Sequence, residues 1–478
     1  MNLKGCVFSP FVVLSLLTLF AQKKIVMRMP NGQEQEENCD ANAVWAGATE
    51  RTVIRLGLDS IRYLCEKLNN PQDKLQFIHI AGTNGKGSTG AYISSILKCA
   101  GYKVGWYSSP AVFKDEEIIK VNNRSISKAS YKEGMAIIDK ACEELWPMGK
   151  DINGVSPATE FERQTALAFR YFEQKKCDIV VLECGMGGLT DATNIVKNTK
   201  VCVFTSISLD HTDYLGDTVE DIAKVKSGIM KPGCRVVSLD NGESVNSVIR
   251  HEASLLTKAY DSGETVDITN EKAGKNAEAH GKPSVPVDLI EPEKSLKKFL
   301  ALKGKEQLAD ASLAYHAVKA LPSDAFTISE KSIAIGLHNT VIEGRFEIIS
   351  KAPTIIIDGA HNPGAAIALK ESLEEKYSGR HIIAVVGMLK NKDHDEVLKT
   401  VLPLAATVLT VSTGPVRAFS AEDLARVALK YHPSVTSIGG IEEAMDMSML
   451  LAQKNDVIVV FGSFSFLKEV KKWNDMRK

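Results

Sequence analysis

The nine cysteines of this chain include no C-x-x-C pair. An odd number of scattered thiols, in 478 residues that need no covalent staples, implies reduced cysteines and gives no support to a structural zinc site. Net charge is also missing: 58 lysines and arginines stand against 59 aspartates and glutamates, a formal −1. No global field recruits nucleic acid or an anionic membrane, so an anionic ligand must be held by a local site. A simple short-period repeat is absent as well. What remains, 44% hydrophobic and 24% charged residues, is the composition of a soluble globular protein, and the length predicts two domains.

The apolar run from Cys6 to Ala21 has one lysine before it and two after it. It resembles a signal peptide or a short anchor, although it is short for a spanning helix and contains Pro10. A polar stretch, NGQEQEENCDANA, follows. Residues 1–47 are expected to be a leader or disordered extension outside the fold. Three readings stand: an over-extended gene model with Met27 or Met29 as the start, an anchor, or a targeting leader. A cytoplasmic location is expected, while the apolar run leaves a membrane or targeted one open.

Beyond residue 58, strands alternate with helices. LDSIRYLCEKL places Ile61, Leu64, Cys65 and Leu68 on one helical face. LQFIHIA, YKVGWYSSP, DIVVLECG, KVCVFTSIS and CRVVSLD read as strands, and KGSTGAYISSILKCAG and PATEFERQTALAFRYFEQKKC as helices. A second series begins near Thr354, with TIIIDGAHNP, HIIAVVGML, ATVLTVST and DVIVVFGSF as strands. This pattern predicts an α/β protein with a P-loop-type doubly wound N-terminal domain (48–325) and a smaller Rossmann-like C-terminal domain (326–478). Residues 240–296, rich in Gly, Asn, Glu and Lys, read as a surface excursion or small antiparallel lobe.

The chemistry concentrates where the first strand runs into Gly82-Thr83-Asn84-Gly85-Lys86-Gly87-Ser88-Thr89. Glycines let backbone N–H groups approach an anion, and the helix N-terminus adds positive potential. Lys86 can neutralise nucleotide β/γ-phosphates, and the hydroxyl of Ser88 or Thr89 can reach a magnesium ion. A plain strand-to-helix turn would need neither the lysine nor the hydroxyls. Glu183, at the end of an apolar strand, stands where a parallel sheet places ligands and suits Mg²⁺. Asp191 and Asn194 in LTDATN read equally well as turn residues or ligand contacts.

A glycine separates Lys86 from Ser88, unlike the commoner G-x-x-x-x-G-K-[ST] spacing. GTNGKGST resembles the loop of the Mur ligase superfamily, and within it the folylpolyglutamate synthase/dihydrofolate synthase family. ECGMGGLTDATN, SLDHTDYLGDTVEDIAKVKSGIMKPG, IIDGAHNPGA and VVGMLKNKD resemble further motifs of that family, in the expected order. The resemblance implies that His211 helps hold a second magnesium, with Asp210 and Asp213 nearby. It also implies that Lys226 is carbamylated by CO₂ and becomes an anionic metal ligand. Read alone, Lys226 is a helix-surface lysine, with Lys224 as its neighbour. The family's usual glutamate before it is Val225 here. By the same resemblance Gln307 meets the nucleotide base, although HQ…NA has become Glu306-Gln307 and Asp310-Ala311. Arg345 is kept in VIEGRFEII for gripping phosphate. Asp358 and His361 in DGAHNP match residues that face ATP, and each would otherwise be a turn or capping residue. Lys390 is a weaker candidate of the same kind.

The implied reaction is ATP-dependent addition of L-glutamate to folate, or to dihydropteroate, through an acyl phosphate. ATP and two Mg²⁺ ions are the expected cofactors. Lys86, His211, Lys226 and Arg345 are the expected catalytic residues, and Ser88, Glu183, His211 and Lys226 the metal ligands. A monomer with no nucleic-acid partner and no stable membrane association is expected. Two rivals stand beside this. One is a cell-wall Mur ligase acting on a UDP-sugar, disfavoured because no UDP-binding α/β domain precedes residue 77. The other is a nucleotide-gated binding protein without ligase activity.

Overall fold

Short apolar runs rich in β-branched residues form the strands of two separate sheets. The computed structural model describes residues 57–111, 113–262, 285–301, 304–390, 393–414 and 418–477, all within the compact unit Ile54–Lys478. The predicted extension at 1–47 lies outside the described residues. Among the described residues, no helix is long and apolar enough to cross a membrane.

The first layer series begins with helix α1 (Asp59–Lys67), strand β1 (Phe77–Ala81), helix α2 (Lys86–Cys99) and β2 (Val104–Tyr107). Two short strands, β3 (Ile119–Val121) and β4 (Arg124–Ser125), are followed by α3 (Lys128–Leu145), α4 (Glu160–Gln174), β5 (Ile179–Glu183) and β6 (Thr199–Phe204). Then come α5 (Thr212–Leu215), α6 (Val219–Ser227), β7 (Arg235–Leu239), α7 (Glu243–Ser262) and β8 (Val287–Ile290). The sheet order is β4-β3-β2-β5-β1-β6-β7-β8. From β2 to β8 the pairs are parallel, and β3 and β4 add an antiparallel edge. Helices α8 (Lys305–Lys319) and α9 (Glu330–His338) complete this half.

Every residue of β1 and β5 is buried, as parallel strands covered on both faces require. Helices α2, α8 and α9 cover Ile78, Ile80, Val181 and Val203 on one face. Helices α1, α3 and α4 cover Phe77, Val180 and Leu182 on the other. The start of α4 is fixed by a reciprocal pair, in which Thr159 and Glu162 each accept from the other's backbone, a cap worth about 1 kcal/mol.

Among the described residues of 240–296 there is no antiparallel lobe: α7 packs against α6 and β8 pairs in parallel with β7. The weak alternation hid this because β8 is an edge strand with only Ile290 buried.

The second sheet contains β9 (Glu347–Lys351), β10 (Thr354–Asp358), β11 (Ile382–Val386), β12 (Thr407–Thr410), β13 (Val435–Ser437) and β14 (Val457–Phe461), ordered β13-β12-β11-β14-β10-β9. Only β9 runs antiparallel. Helices α10 (Pro363–Tyr377), α11 (His394–Val401) and α12 (Ala421–Ala428) lie with one apolar cluster, and α13 (Ile441–Leu451) and α14 (Phe464–Met476) with the other.

The two halves interlock at the loop after β2. Phe113 leaves the first half and is buried among Ile355, Ile357 and Trp473 of the second. Lys471 Nζ stands 3.8 Å from the centroid of its ring. Nearby, Lys120 on β3 pairs with Glu343 at 3.2 Å. Phe113→Ala should therefore cost about 3 kcal/mol of stability, read as a lower urea midpoint. A change under about 0.5 kcal/mol, the usual range for surface positions, would show that the ring does not hold the halves together.

Candidate functional site

The register of the first sheet builds the site. Ile80 pairs with Glu183 and Ala81 with Phe204, so the loops leaving β1, β5 and β6 emerge side by side at the carboxyl edge. This is the edge at which parallel α/β sheets bind ligands. The glycines of the first loop are sterically required. Gly82 has φ +152° and a Cβ there would lie 1.8 Å from Thr205 Oγ1; Gly85 has φ +89° and its Cβ would lie 2.3 Å from Asp310 Oδ1.

The loop's own amides are partly committed. Thr83 N–H donates to Ser206 O at 2.7 Å and Asn84 N–H to the same oxygen at 3.4 Å. The Thr83 hydroxyl is tied to the backbone of Ser208 at 3.1 Å. Donors for an anion are thus those of the first turn of α2, where Lys86, Gly87 and Ser88 have no intrahelical acceptor. Thr89 turns the other way: it is fully buried and its hydroxyl donates to Asp310 Oδ1 at 3.4 Å.

Two ammonium groups converge on one carbonyl. Lys86 Nζ donates to Gly82 O at 3.0 Å and to Thr83 O at 3.2 Å. Lys226 Nζ, from α6, donates to Gly82 O at 2.9 Å. Lys226 is 4% exposed, which corrects its reading as a helix-surface lysine, whereas Lys224 is exposed. Burial, and after it the charge of Lys86, pushes the Lys226 ammonium down to about 8.

Glu183 is buried beside this pair. Burial pushes its carboxyl up to about 7 against the opposing effects of Lys86 and the Ser109 backbone N–H. The Ser109 hydroxyl is itself buried without a hydrogen bond among the described residues. His211 lies in an exposed turn with φ +50°, its Nε2 3.7 Å from Asp210 Oδ2. Among the described residues, no three His, Cys, Asp or Glu side chains stand close enough together to hold a metal.

Asp191 and Asn194 resolve toward the turn reading. Asp191 accepts from Met186 N–H at 2.8 Å and from Thr193 N–H at 3.0 Å. Asn194 donates to Leu189 O and Gly228 O at 2.9 and 3.0 Å. The structure also reveals His79, fully buried on β1, with Nε2 2.9 Å from Thr193 Oγ1 and 3.1 Å from Cys184 Sγ. It ties the loop's strand to the one that carries Glu183.

Opposite the loop lies a cleft of about 270 Å³ whose walls come from both halves. Asn84, Gly85 and Ser88 face Glu306, Gln307 and Asp310 of α8, and Arg345, Asp358 and Asn362 of the second half. Gln307 is held by Tyr92 Oη at 3.1 Å. Asp358 accepts from the N–H groups of Phe346 and Ala360, both at 2.7 Å. Its carboxylate therefore fixes the backbone beside Arg345. His361 does not line the cleft; its Nδ1 lies 2.7 Å from Gly359 O. Lys390 is exposed.

Residues 80–318 match the model of the Mur ligase middle domain, and residues 344–464 that of the Mur ligase glutamate ligase domain. The chain is 31% identical over 436 residues to the dihydrofolate synthase/folylpolyglutamate synthase of Bacillus subtilis, covering 90% of this chain and 97% of that one. The chain belongs to the folylpolyglutamate synthase/dihydrofolate synthase family of Mur ligases. Longer relatives match too; of one, 33% identical over 425 residues, the chain spans 49%. Its fold is similar to that of Escherichia coli FolC in complex with DHPP and ADP, with TM-score 0.67, 28% identity, and 89% and 94% of the two chains covered. It is also similar to a bifunctional folylpolyglutamate synthase/dihydrofolate synthase with Mn, AMPPNP and L-glutamate bound, with TM-score 0.64, 28% identity, and coverage of 90% and 97%.

Sequence reading passed over three residues that the family fold brings to the site. Asn362 signals itself as the cap of α10, accepting from Ala365 N–H at 2.9 Å. The Ser206 carbonyl holds the loop and the Ser109 N–H meets Glu183, and backbone groups carry no signal in the sequence. Asp310 was noticed only as a departure from HQ…NA, yet it lies against both Gly85 and Thr89.

Burial pushes the Asp310 carboxyl up to about 8. Folded chains keep this proton over a pH range where unfolded chains have released it, so the group's contribution is full at low pH and falls as the pH rises toward that value. Asp310→Asn should abolish the fall. In denaturant titrations of nucleotide- and metal-free protein, the variant's advantage over wild type should grow from about pH 5 to about pH 8 and then level off. A constant difference across this range would refute it.

Proposed function

We propose that the chain is an ATP-dependent ligase that joins L-glutamate to the carboxylate of a folate substrate, with dihydropteroate as a second acceptor. The observation that carries this is the shared cleft: the phosphate loop of one half faces Arg345 and Asp358 of the other. Family membership and the folate, nucleotide and glutamate named for its relatives support the same reaction. ATP first phosphorylates the acceptor carboxylate; the glutamate amine then attacks the acyl phosphate, and phosphate leaves. Lys86 and Arg345 would offset charge on the phosphoryl oxygens, and Gln307 would meet the base. Asp358 and His361 would act from the second half, Asp358 by fixing the Arg345 loop. Walls from both halves would shield the acyl phosphate from water. We assign 48–325 to the nucleotide-binding domain and 326–478 to the ligase domain, and expect a cytoplasmic monomer.

A divalent cation fits one place in this site. Glu183 is buried with its carboxyl pushed up, and the Ser109 hydroxyl beside it lacks a partner. Such an oxygen-lined spot suits a hard ion. Glu183 and Ser88 would hold it, and His211 with carbamylated Lys226 would hold a second. Magnesium bound there would supply positive charge that polarises the phosphoryl oxygens. Lys226 is well suited to carbamylation: burial and Lys86 favour its neutral amine, the form that adds CO₂ and releases a proton.

The decisive assay supplies purified protein with ATP, Mg²⁺, glutamate, and dihydropteroate or tetrahydrofolate. ADP should appear together with a product heavier by one glutamyl residue; ATP binding without glutamate-dependent ADP would sink the ligase reading. Lys86→Ala should lower turnover about a hundredfold or more while leaving the fold intact.

Lys226→Ala should cut ligation by orders of magnitude, with acetate restoring part of it, and Lys224→Ala should be silent. A carbamate signal in the carbon NMR spectrum of protein under ¹³CO₂ should vanish in Lys226→Ala. Wild-type turnover in that variant, or no such signal in the parent, would remove the carbamate assignment.

A further inference from the structure

Phe464 opens helix α14 and sits in a slot lined by glycine. A Cβ at Gly359 would lie 2.2 Å from the ring's Cζ, and one at Gly344 would lie 2.9 Å from Cε1. Neither position has room for a side chain while the ring is there. The guanidinium of Arg345 lies over the ring face, with Cζ 4.8 Å from the centroid. His361 meets the ring edge-on, centroids 6.2 Å apart at 70°.

Arg345 needs such support. It stands between Gly344 at φ +64° and Phe346 at φ +44°, a backbone that a bulky residue adopts only when its surroundings impose it. The Asp358 carboxylate holds this backbone through Phe346 N–H. Among the described residues the guanidinium makes no side-chain hydrogen bond or ion pair; the Asp310 and Asp358 carboxyls attract its charge, and the Phe464 ring is the group that packs on its face. Stacking occupies a face of the guanidinium and leaves its in-plane N–H groups available, which is the geometry needed for phosphate oxygens.

We infer that Phe464 is a positioning residue for nucleotide binding: its ring, seated against Gly344 and Gly359, aims Arg345 into the cleft. This rests on the reading of Arg345 as a phosphate-gripping residue. The ring neither touches the reacting atoms nor lines the cleft.

The test is a double-mutant cycle on the full chain. Phe464→Leu, Phe464→Met, Arg345→Ala and Phe464→Leu/Arg345→Ala are compared for kcat, for KM of ATP and of glutamate, and for calorimetric affinity for the β,γ-imido analogue of ATP. Melting curves identify variants that fold, and Phe464→Met, which keeps bulk but loses the ring, serves if Phe464→Leu does not. The expected result is a rise of about fivefold in KM for ATP with either ring variant, a matching loss of analogue affinity, and an unchanged KM for glutamate. In the Arg345→Ala background, Phe464→Leu should add less than about twofold. A wild-type KM for ATP in a folded ring variant, or full additivity with Arg345→Ala, overturns the inference. Loss in Arg345→Ala with normal ring variants removes only this inference. An unchanged KM for ATP in Arg345→Ala alone removes the phosphate role of Arg345 and this inference with it.

Discussion

The carbonyl oxygen of Gly82 accepts from two lysine ammonium groups, and much of the site follows from that crowding. Two cations drawn to one oxygen in a buried setting repel each other and lose hydration. A nearby anion, or the loss of one of the two charges, relieves this. Lys86 remains half-exposed at the phosphate loop, where an anionic nucleotide would be its partner. Lys226 is enclosed and takes the other course, with its ammonium pushed down. The close approach of the strands that makes this possible depends on Gly82, where even a methyl group would overlap Thr205.

Four buried carboxyls, Asp310 and Asp358 in the cleft and Glu183 and Asp191 behind the loops of the first sheet, divide by what satisfies them. Asp191 and Asp358 each accept from backbone N–H groups through both oxygens. They act as clamps for the turns that carry other residues. Glu183 and Asp310 have fewer donors, and burial drives both well above the ordinary carboxylate range. A carboxyl left short of donors in low dielectric gains most from an added cation or a retained proton. The first pair is thus suited to holding the scaffold and the second to chemistry.

The cleft depends on the halves being locked at a distance from it. Phe113, buried in the second half's core, and the Lys120–Glu343 pair fix the seam. Lys376 adds a third tie, donating to Ala301 O at 2.7 Å. These contacts set how far Arg345 stands from the phosphate loop without taking part in what happens between them.

Apolar periodicity alone determined most of the strands of both parallel sheets, with helices α1, α2 and α4 on the first, because strands buried on both faces read as continuous apolar runs. The glycine and lysine spacing of residues 82–89 likewise marked the phosphate loop, since that geometry needs those residue types in consecutive positions. Edge elements were harder to read: β3, β4, β8, β9 and β13 are short or half-exposed, so water relieves them of a strict pattern. Burial was decided by tertiary structure alone. Nothing local distinguishes Lys226 from Lys224 or Thr89 from Ser88. Each pair shares its chemistry and differs only in which distant groups fold over it: Gly82 O for Lys226 and Asp310 for Thr89. Charge state and hydrogen bonding depend on those neighbours, and only the folded chain brings them together.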